Sequence, residues 1–95
     1  MKKSYVYIIT NGEDFKVGVS VNPKKRLKQL QTGNPKKLRL VAVFEVEKKD
    51  VFKMEKEAHA SISCWYMKSG EWFKNATEFH VNLMVDTVHQ KYCKD

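Results

Sequence analysis

The chain has 95 residues, 42% of them hydrophobic and 31% charged, and its 18 Lys and Arg outnumber 11 Asp and Glu for a formal charge of +7. That length holds one modest core, so a single domain over residues 1–95 is expected, and the positive excess favours a polyanionic partner, nucleic acid first. No apolar run approaches the roughly 20 residues of a membrane span, no signal-type stretch follows the basic amino terminus, and Cys64 and Cys93 lack zinc or disulfide-framework spacing, so a cytoplasmic protein with reduced thiols is expected.

The segments Tyr5-Val6-Tyr7-Ile8-Ile9 and Phe15-Lys16-Val17-Gly18-Val19 alternate as the two strands of a hairpin. Asn11-Gly12 is a strong signal for a two-residue turn, which would set Tyr7 opposite Lys16; a four-residue turn would move the register but not the faces. In either register Val6, Ile8, Phe15 and Val17 form an apolar face, while Tyr5, Tyr7, Lys16 and Gly18 share the side away from that core. A phenol, an ammonium and a bare backbone converge there.

Asn22-Pro23 reads as an N-cap followed by proline at the first helical position, which predicts a helix from about Pro23 to Thr32 ended by Gly33-Asn34-Pro35. Leu27, Leu30 and Gln31 give it an inward stripe. The segment from Leu38 to Val46 reads as a third strand whose length suits a central position in the sheet. A second helix follows from Asp50 to about Ser63, with Val51, Met54, Ala58 and Ile62 inward and Glu55 and His59 on adjacent turns of one face. Gly70 breaks the next segment, and Glu71-Trp72-Phe73 is expected to be a short extended piece. Thr77 caps a last helix reaching about Tyr92, with His80 and His89 on its surface and without evident partners. Trp65, Trp72 and Phe73 are expected as packing residues.

Positive charge is clustered. Lys24, Lys25, Arg26, Lys28, Lys36, Lys37 and Arg39 fall in one short window, a phosphate-binding patch if the segment is compact, and Asn34 within the helix stop is a candidate contact beside them. Taken singly, Tyr7 is an ordinary strand aromatic, Lys16 and Arg26 are solvated charges, and Glu55 with His59 is a local helical pair.

Taken together and in this order, Val6-Tyr7, Lys16-Val17-Gly18, Lys25-Arg26-Leu27 and Glu55 resemble the motifs of the GIY-YIG nuclease superfamily. Phe15-Lys16-Val17-Gly18-Val19-Ser20, the run from Arg26 to Pro35, the Glu55/His59 pair and Gly70-Glu71-Trp72-Phe73 are similar to its compact, phage-type (Orf172-like) DNA-binding subfamily. The resemblance implies a metal-dependent DNA endonuclease. Tyr7 would orient or deprotonate the attacking water, although a phenol with its ordinary pKa of about 10 is a poor base at neutral pH without a nearby cation. Lys16 would supply that cation or bind the phosphate. Arg26 would pair with phosphoryl oxygens, and Glu55, with Glu71 as the alternative, would hold one Mg²⁺ or Mn²⁺. Two departures stand out: Lys16 replaces the family's second tyrosine, and Leu30 stands where many relatives carry His or Tyr. His59 would supply the missing proton-transfer group from the other helix.

The sequence therefore predicts an α/β (α+β) domain with a small, mainly antiparallel three-stranded sheet flanked by helices, monomeric or weakly dimeric, with a phosphodiesterase site on the hairpin face. The alternative is a nucleic-acid-binding module of the same fold with little or no cleavage. A third reading is a protein-interaction module whose basic face binds an acidic partner.

Overall fold

The computed structural model describes residues 3–93. Along the chain run β1 (Lys3–Thr10), β2 (Phe15–Ser20), α1 (Pro23–Thr32), β3 (Arg39–Glu47), α2 (Val51–Ser63), β4 (Lys68–Ser69), β5 (Trp72–Phe73) and α3 (Glu78–Gln90). The sheet has five strands in the order β3-β1-β2-β5-β4, not three. The two additional strands form a short hairpin in which Ser69 pairs with Trp72 across Gly70-Glu71, with Gly70 at a φ of +62°. Glycine at the first position of a two-residue turn supplies a backbone that L-residues avoid.

β3 lies at the sheet edge, which corrects the central position expected for it. Of the three long strands the middle one is β1, whose residues Val6 to Thr10 are buried on both faces. Such a strand needs a cover on each side, and a continuous apolar run supplies both. A register shift between Ile8 and Ile9 lets β3 follow it: Ala42 pairs with Ile8 and Leu40 with Ile9, leaving Val41 as the extra residue.

The β1–β2 connection spans four residues, with Thr10 opposite Phe15 and Tyr7 opposite Gly18. Asn11 decides this. Its Oδ1 accepts from the backbone N–H groups of Glu13 at 2.9 Å and Asp14 at 2.8 Å, a side-chain turn that competes with the tighter hairpin suggested by Asn11-Gly12. The faces are those expected from alternation, because both registers differ by an even number of residues.

Two apolar clusters sit on opposite sides of the sheet. The larger one joins Val6, Ile8, Phe15, Val17, Phe44, Val46 and Phe73 to Met54, Ala58 and Ile62 of α2 and Val81, Val85 and Val88 of α3. The smaller one joins Tyr7, Ile9 and Leu38, covered by Leu27 and Leu30 of α1, Leu40 and Trp72. The Tyr7 face is therefore a second core, not an open surface, and Tyr7 is only 2% exposed.

α1 contributes no fully buried residue and lies on the sheet through the half-buried Leu27 and Leu30. Asn22 caps it, accepting from the Lys25 N–H at 3.1 Å. Gln31 fastens its far end: Nε2 donates to the carbonyls of Lys36 at 2.9 Å and Asn34 at 3.3 Å, and Oε1 accepts from the Leu38 N–H at 2.7 Å. Leu38 is buried, so Gln31→Ala strands its amide and should cost about 1–3 kcal/mol, read as a lower urea midpoint at unchanged slope.

On the other layer α2 and α3 are clasped by the Tyr92 hydroxyl, which donates to Glu57 at 2.5 Å. That bond raises the Tyr92 phenol to about 12 and lowers the Glu57 carboxyl. Two histidines expected to be unpartnered are not: His80 Nδ1 meets the Tyr66 hydroxyl at 2.6 Å, and His89 Nε2 donates to the Glu45 carbonyl at 2.8 Å. Trp65, expected in packing, is 69% exposed and stands edge-on to His80. Cys64 and Cys93 are free and exposed, and among the described residues no helix is long and apolar enough to cross a membrane.

Candidate functional site

Three consecutive residues of β2, Lys16, Val17 and Gly18, gather the candidate site. Gly18 receives Tyr7. In the register of the hairpin the two are directly opposite, and the tyrosine ring lies across the strand onto the glycine. A Cβ at residue 18 would come within 2.6 Å of Tyr7 Cζ and closer still to its hydroxyl, so only glycine leaves room for the phenol. That hydroxyl has no hydrogen-bond partner among the described residues, yet no fully buried side-chain oxygen or nitrogen there lacks one. The tip of an otherwise enclosed ring therefore stays accessible.

Lys16 is on the same face and its side chain is 8% exposed. Its ammonium pairs with the Glu71 carboxylate at the tip of the β4–β5 hairpin, whose side chain is 76% exposed. The Glu71 carboxyl is held below the usual carboxylate range, first by the hydrogen bond and charge of Lys16, then by the charges of Arg26 and Lys68, against desolvation. Because the folded pKa is depressed, the contact contributes above the ordinary carboxylate range and is lost as pH falls through the lowered value, a small effect at so exposed a group. The pairing of Glu71 with Lys16 was not foreseen from sequence. The signal was present in Lys68-Ser69-Gly70-Glu71-Trp72-Phe73, where a glycine-first pair between two short extended pieces marks a hairpin.

Val17 is reached from the opposite layer. Nε2 of His59 lies 2.8 Å from the Val17 carbonyl, and Glu55 Oε2 lies 3.9 Å from the same nitrogen. A carbonyl oxygen only accepts, so Nε2 carries a proton, and Nδ1 is the nitrogen left for proton transfer. The ring is fixed edge-on against Phe73 at 5.4 Å between centroids. Glu55 thus approaches the Lys16–Gly18 stretch from the α2 layer, whereas Tyr7, Lys16, Arg26 and Glu71 belong to the α1 layer.

Arg26 is exposed on α1, where its Nη1 donates to Gln29 Oε1 at 3.4 Å. Lys24, Lys25, Lys28 and Lys37 are exposed as well, and among the described residues these four and Arg26 make no ion pair with an acid. Lys36 pairs with Glu13, and Arg39 with Glu78 at 2.5 Å, so the basic window is partly neutralised at its far end. Asn34 is engaged in the helix stop, its Oδ1 accepting from the Lys36 N–H at 3.0 Å. Leu30 packs against the Tyr7 cluster.

Among the described residues no group of three His, Cys, Asp or Glu is placed to hold a metal ion. The donor chemistry separates the two candidate carboxylates. Glu71 is already matched by an ammonium and lies in the field of two further cations, a poor place for a divalent ion. Glu55 is half-buried, with His59 its one ion-pair partner among the described residues, and a single carboxylate suits a cation such as Mg²⁺ that keeps waters and binds substrate oxygens.

No significant match to the chain was found among curated proteins or among solved structures. The family comparison is different in extent: the T5orf172 domain matches residues 4–90, from the first strand through the end of α3. The chain belongs to the T5orf172 domain family, a phage-associated family related to nuclease-like folds.

Proposed function

We propose that this domain is a GIY-YIG-type endonuclease that hydrolyses DNA phosphodiester bonds with Mg²⁺ or Mn²⁺. The observation that carries the reading is the meeting of both layers at three consecutive β2 residues: the Tyr7 hydroxyl over Gly18 and the buried side chain of Lys16 from one side, and the His59 contact to Val17 from the other. Family membership supports a nuclease-like or DNA-binding role, and the unpaired cations of α1 supply the phosphate-binding face.

Phosphodiester hydrolysis needs an activated water and compensation for charge that builds on the phosphoryl oxygens. The accessible Tyr7 hydroxyl orients the attacking water, and Lys16, on the same face of β2, supplies positive charge for the phosphoryl oxygens. Arg26 binds two phosphoryl oxygens through its planar donor array, which fixes the scissile group against the strand. Glu55, which reaches β2 from the α2 side, is the residue that would hold a divalent cation, which when bound would supply Lewis-acid stabilisation of the charge that develops in hydrolysis. His59, whose ring is held by the Nε2 bond to the Val17 carbonyl, would give a proton to the leaving oxygen from Nδ1 when both ring nitrogens carry one. The free thiols of Cys64 and Cys93 support action in the cytoplasm.

Leu30 favours a second reading. It occupies the α1 position where many GIY-YIG relatives carry a proton-transfer group, and here it packs against the Tyr7 cluster. A domain with that position apolar would bind DNA and cleave it slowly or not at all. Incubation with supercoiled, linear and single-stranded DNA separates the readings: the endonuclease nicks or cuts with Mg²⁺ or Mn²⁺ and not with EDTA. Salt-sensitive binding without products would establish the binding module, and no binding at low salt would remove nucleic acid as the partner.

A further inference from the structure

Resting on the nucleic-acid reading above, we propose that Lys16, together with Arg26 of the covering helix, forms a subsite for a DNA phosphate that Glu71 occupies in the free protein, and that DNA binds there by displacing Glu71. The starting point is the imbalance within one ion pair. Lys16 is nearly enclosed on β2, whereas Glu71 stands out in solvent at the tip of a hairpin. An enclosed ammonium needs a counter-charge. Here that charge comes from the exposed tip of a small appendage, not from the strands or helices around the lysine.

The appendage is built to hold its base and present its tip. β4 and β5 are two residues each, and β5 joins the main sheet through the single pair Phe15–Phe73. Phe73 is fully buried and anchors the base, Trp72 covers the Tyr7 cluster, and Gly70 turns the chain so that Glu71 projects toward Lys16. Arg26 stands on α1, the helix that covers the same face of the sheet, and its charge adds to that of Lys16 at the Glu71 carboxylate. Carboxylate and phosphate oxygens accept from the same ammonium and guanidinium donors. A backbone phosphate entering here would replace Glu71 charge for charge and leave the buried lysine compensated throughout.

The test is DNA binding by the full chain in EDTA, so that neither cleavage nor a metal contributes, measured by anisotropy of a short labelled duplex across a salt series. Glu71→Gln removes the internal competitor at an exposed position and keeps the side-chain shape. It should bind about fivefold tighter than the parent across the salt series, with a similar slope of log affinity against log salt, because the same phosphate is bound in both proteins and only the displacement of Glu71 is spared. Glu57→Gln removes the same charge from α2 beside Lys91 and should change affinity by less than about twofold. A parent that binds DNA while Glu71→Gln binds no tighter than Glu57→Gln would overturn the displacement proposal and leave the proposed function standing. If neither the parent nor Glu71→Gln binds, the nucleic-acid reading fails and this subsite fails with it.

Discussion

Gly18→Ala is expected to lose cleavage by about 10²-fold and stability by about 1–3 kcal/mol, because the added methyl group enters space held by the Tyr7 phenol. The ring cannot give way cheaply. It is packed between Ile9, Leu38 and the α1 leucines, and a shift large enough to relieve a 2.6 Å approach to Cζ would carry the hydroxyl off the strand. Tyr7→Phe is the companion variant. It keeps the packed ring and removes an oxygen that has no hydrogen-bond partner among the described residues, so its urea midpoint should stay within about 0.5 kcal/mol of the parent. Its cleavage rate should fall by the same factor as that of Gly18→Ala. The two variants together separate a packing role from a chemical one, and a Tyr7→Phe protein that nicks supercoiled DNA at the parent rate would take the phenol out of the mechanism.

The second large effect is expected at Glu55. Glu55→Gln should lower cleavage by about 10²-fold or more, the scale on which a group stabilising transition-state charge acts, and EDTA should do the same to the parent. DNA binding without metal should remain within about twofold of the parent, because the α1 cations are untouched. The fold should also hold. Glu55 is half-buried and its neighbour His59 keeps its bond to the Val17 carbonyl, so the thermal midpoint should move by no more than about 2–4 °C. Glu71→Gln, measured beside it, should retain cleavage. The opposite pattern, with Glu71→Gln inactive and Glu55→Gln active, would transfer the metal to the hairpin tip and contradict the charge argument against Glu71.

Much of this architecture was readable from local pattern. Asn22-Pro23 marks the start of α1, and the spacing of Val51, Met54, Ala58 and Ile62 marks the buried face of α2, because caps and periodicity are properties of a few adjacent residues. The two faces of the hairpin were also set, since strand alternation survives any even change of register. The length of the turn was not. It depended on which backbone amides the Asn11 side chain would take, a competition between two local structures of similar cost.

The remaining differences are of another kind. The extended piece expected at Glu71-Trp72-Phe73 is β5, but a two-residue strand carries too little periodicity to show what it pairs with, so β4 and the cover over Lys16 emerged only when Phe73 paired with Phe15. His80 and His89 acquired partners more than ten residues away in sequence, contacts that no spacing rule within one helix describes. The position of β3 at the edge followed from β1 being apolar on both faces, a comparison between strands, not a property of either.

By itself the amino-acid sequence determined which residue types were on hand, their order, the α1 and α2 boundaries and the face that each strand residue occupies, because these depend on backbone preferences and on interactions within one or two turns of chain. Tertiary structure alone decided that the Tyr7 side is a second core with only its hydroxyl accessible, that Glu71 meets Lys16 across 55 positions of sequence, and that His59 reaches Val17 across 42. Those outcomes rest on how two layers of side chains close over a sheet, and the physical cause lies in packing and in the need of enclosed charges for partners, neither of which is local along the chain.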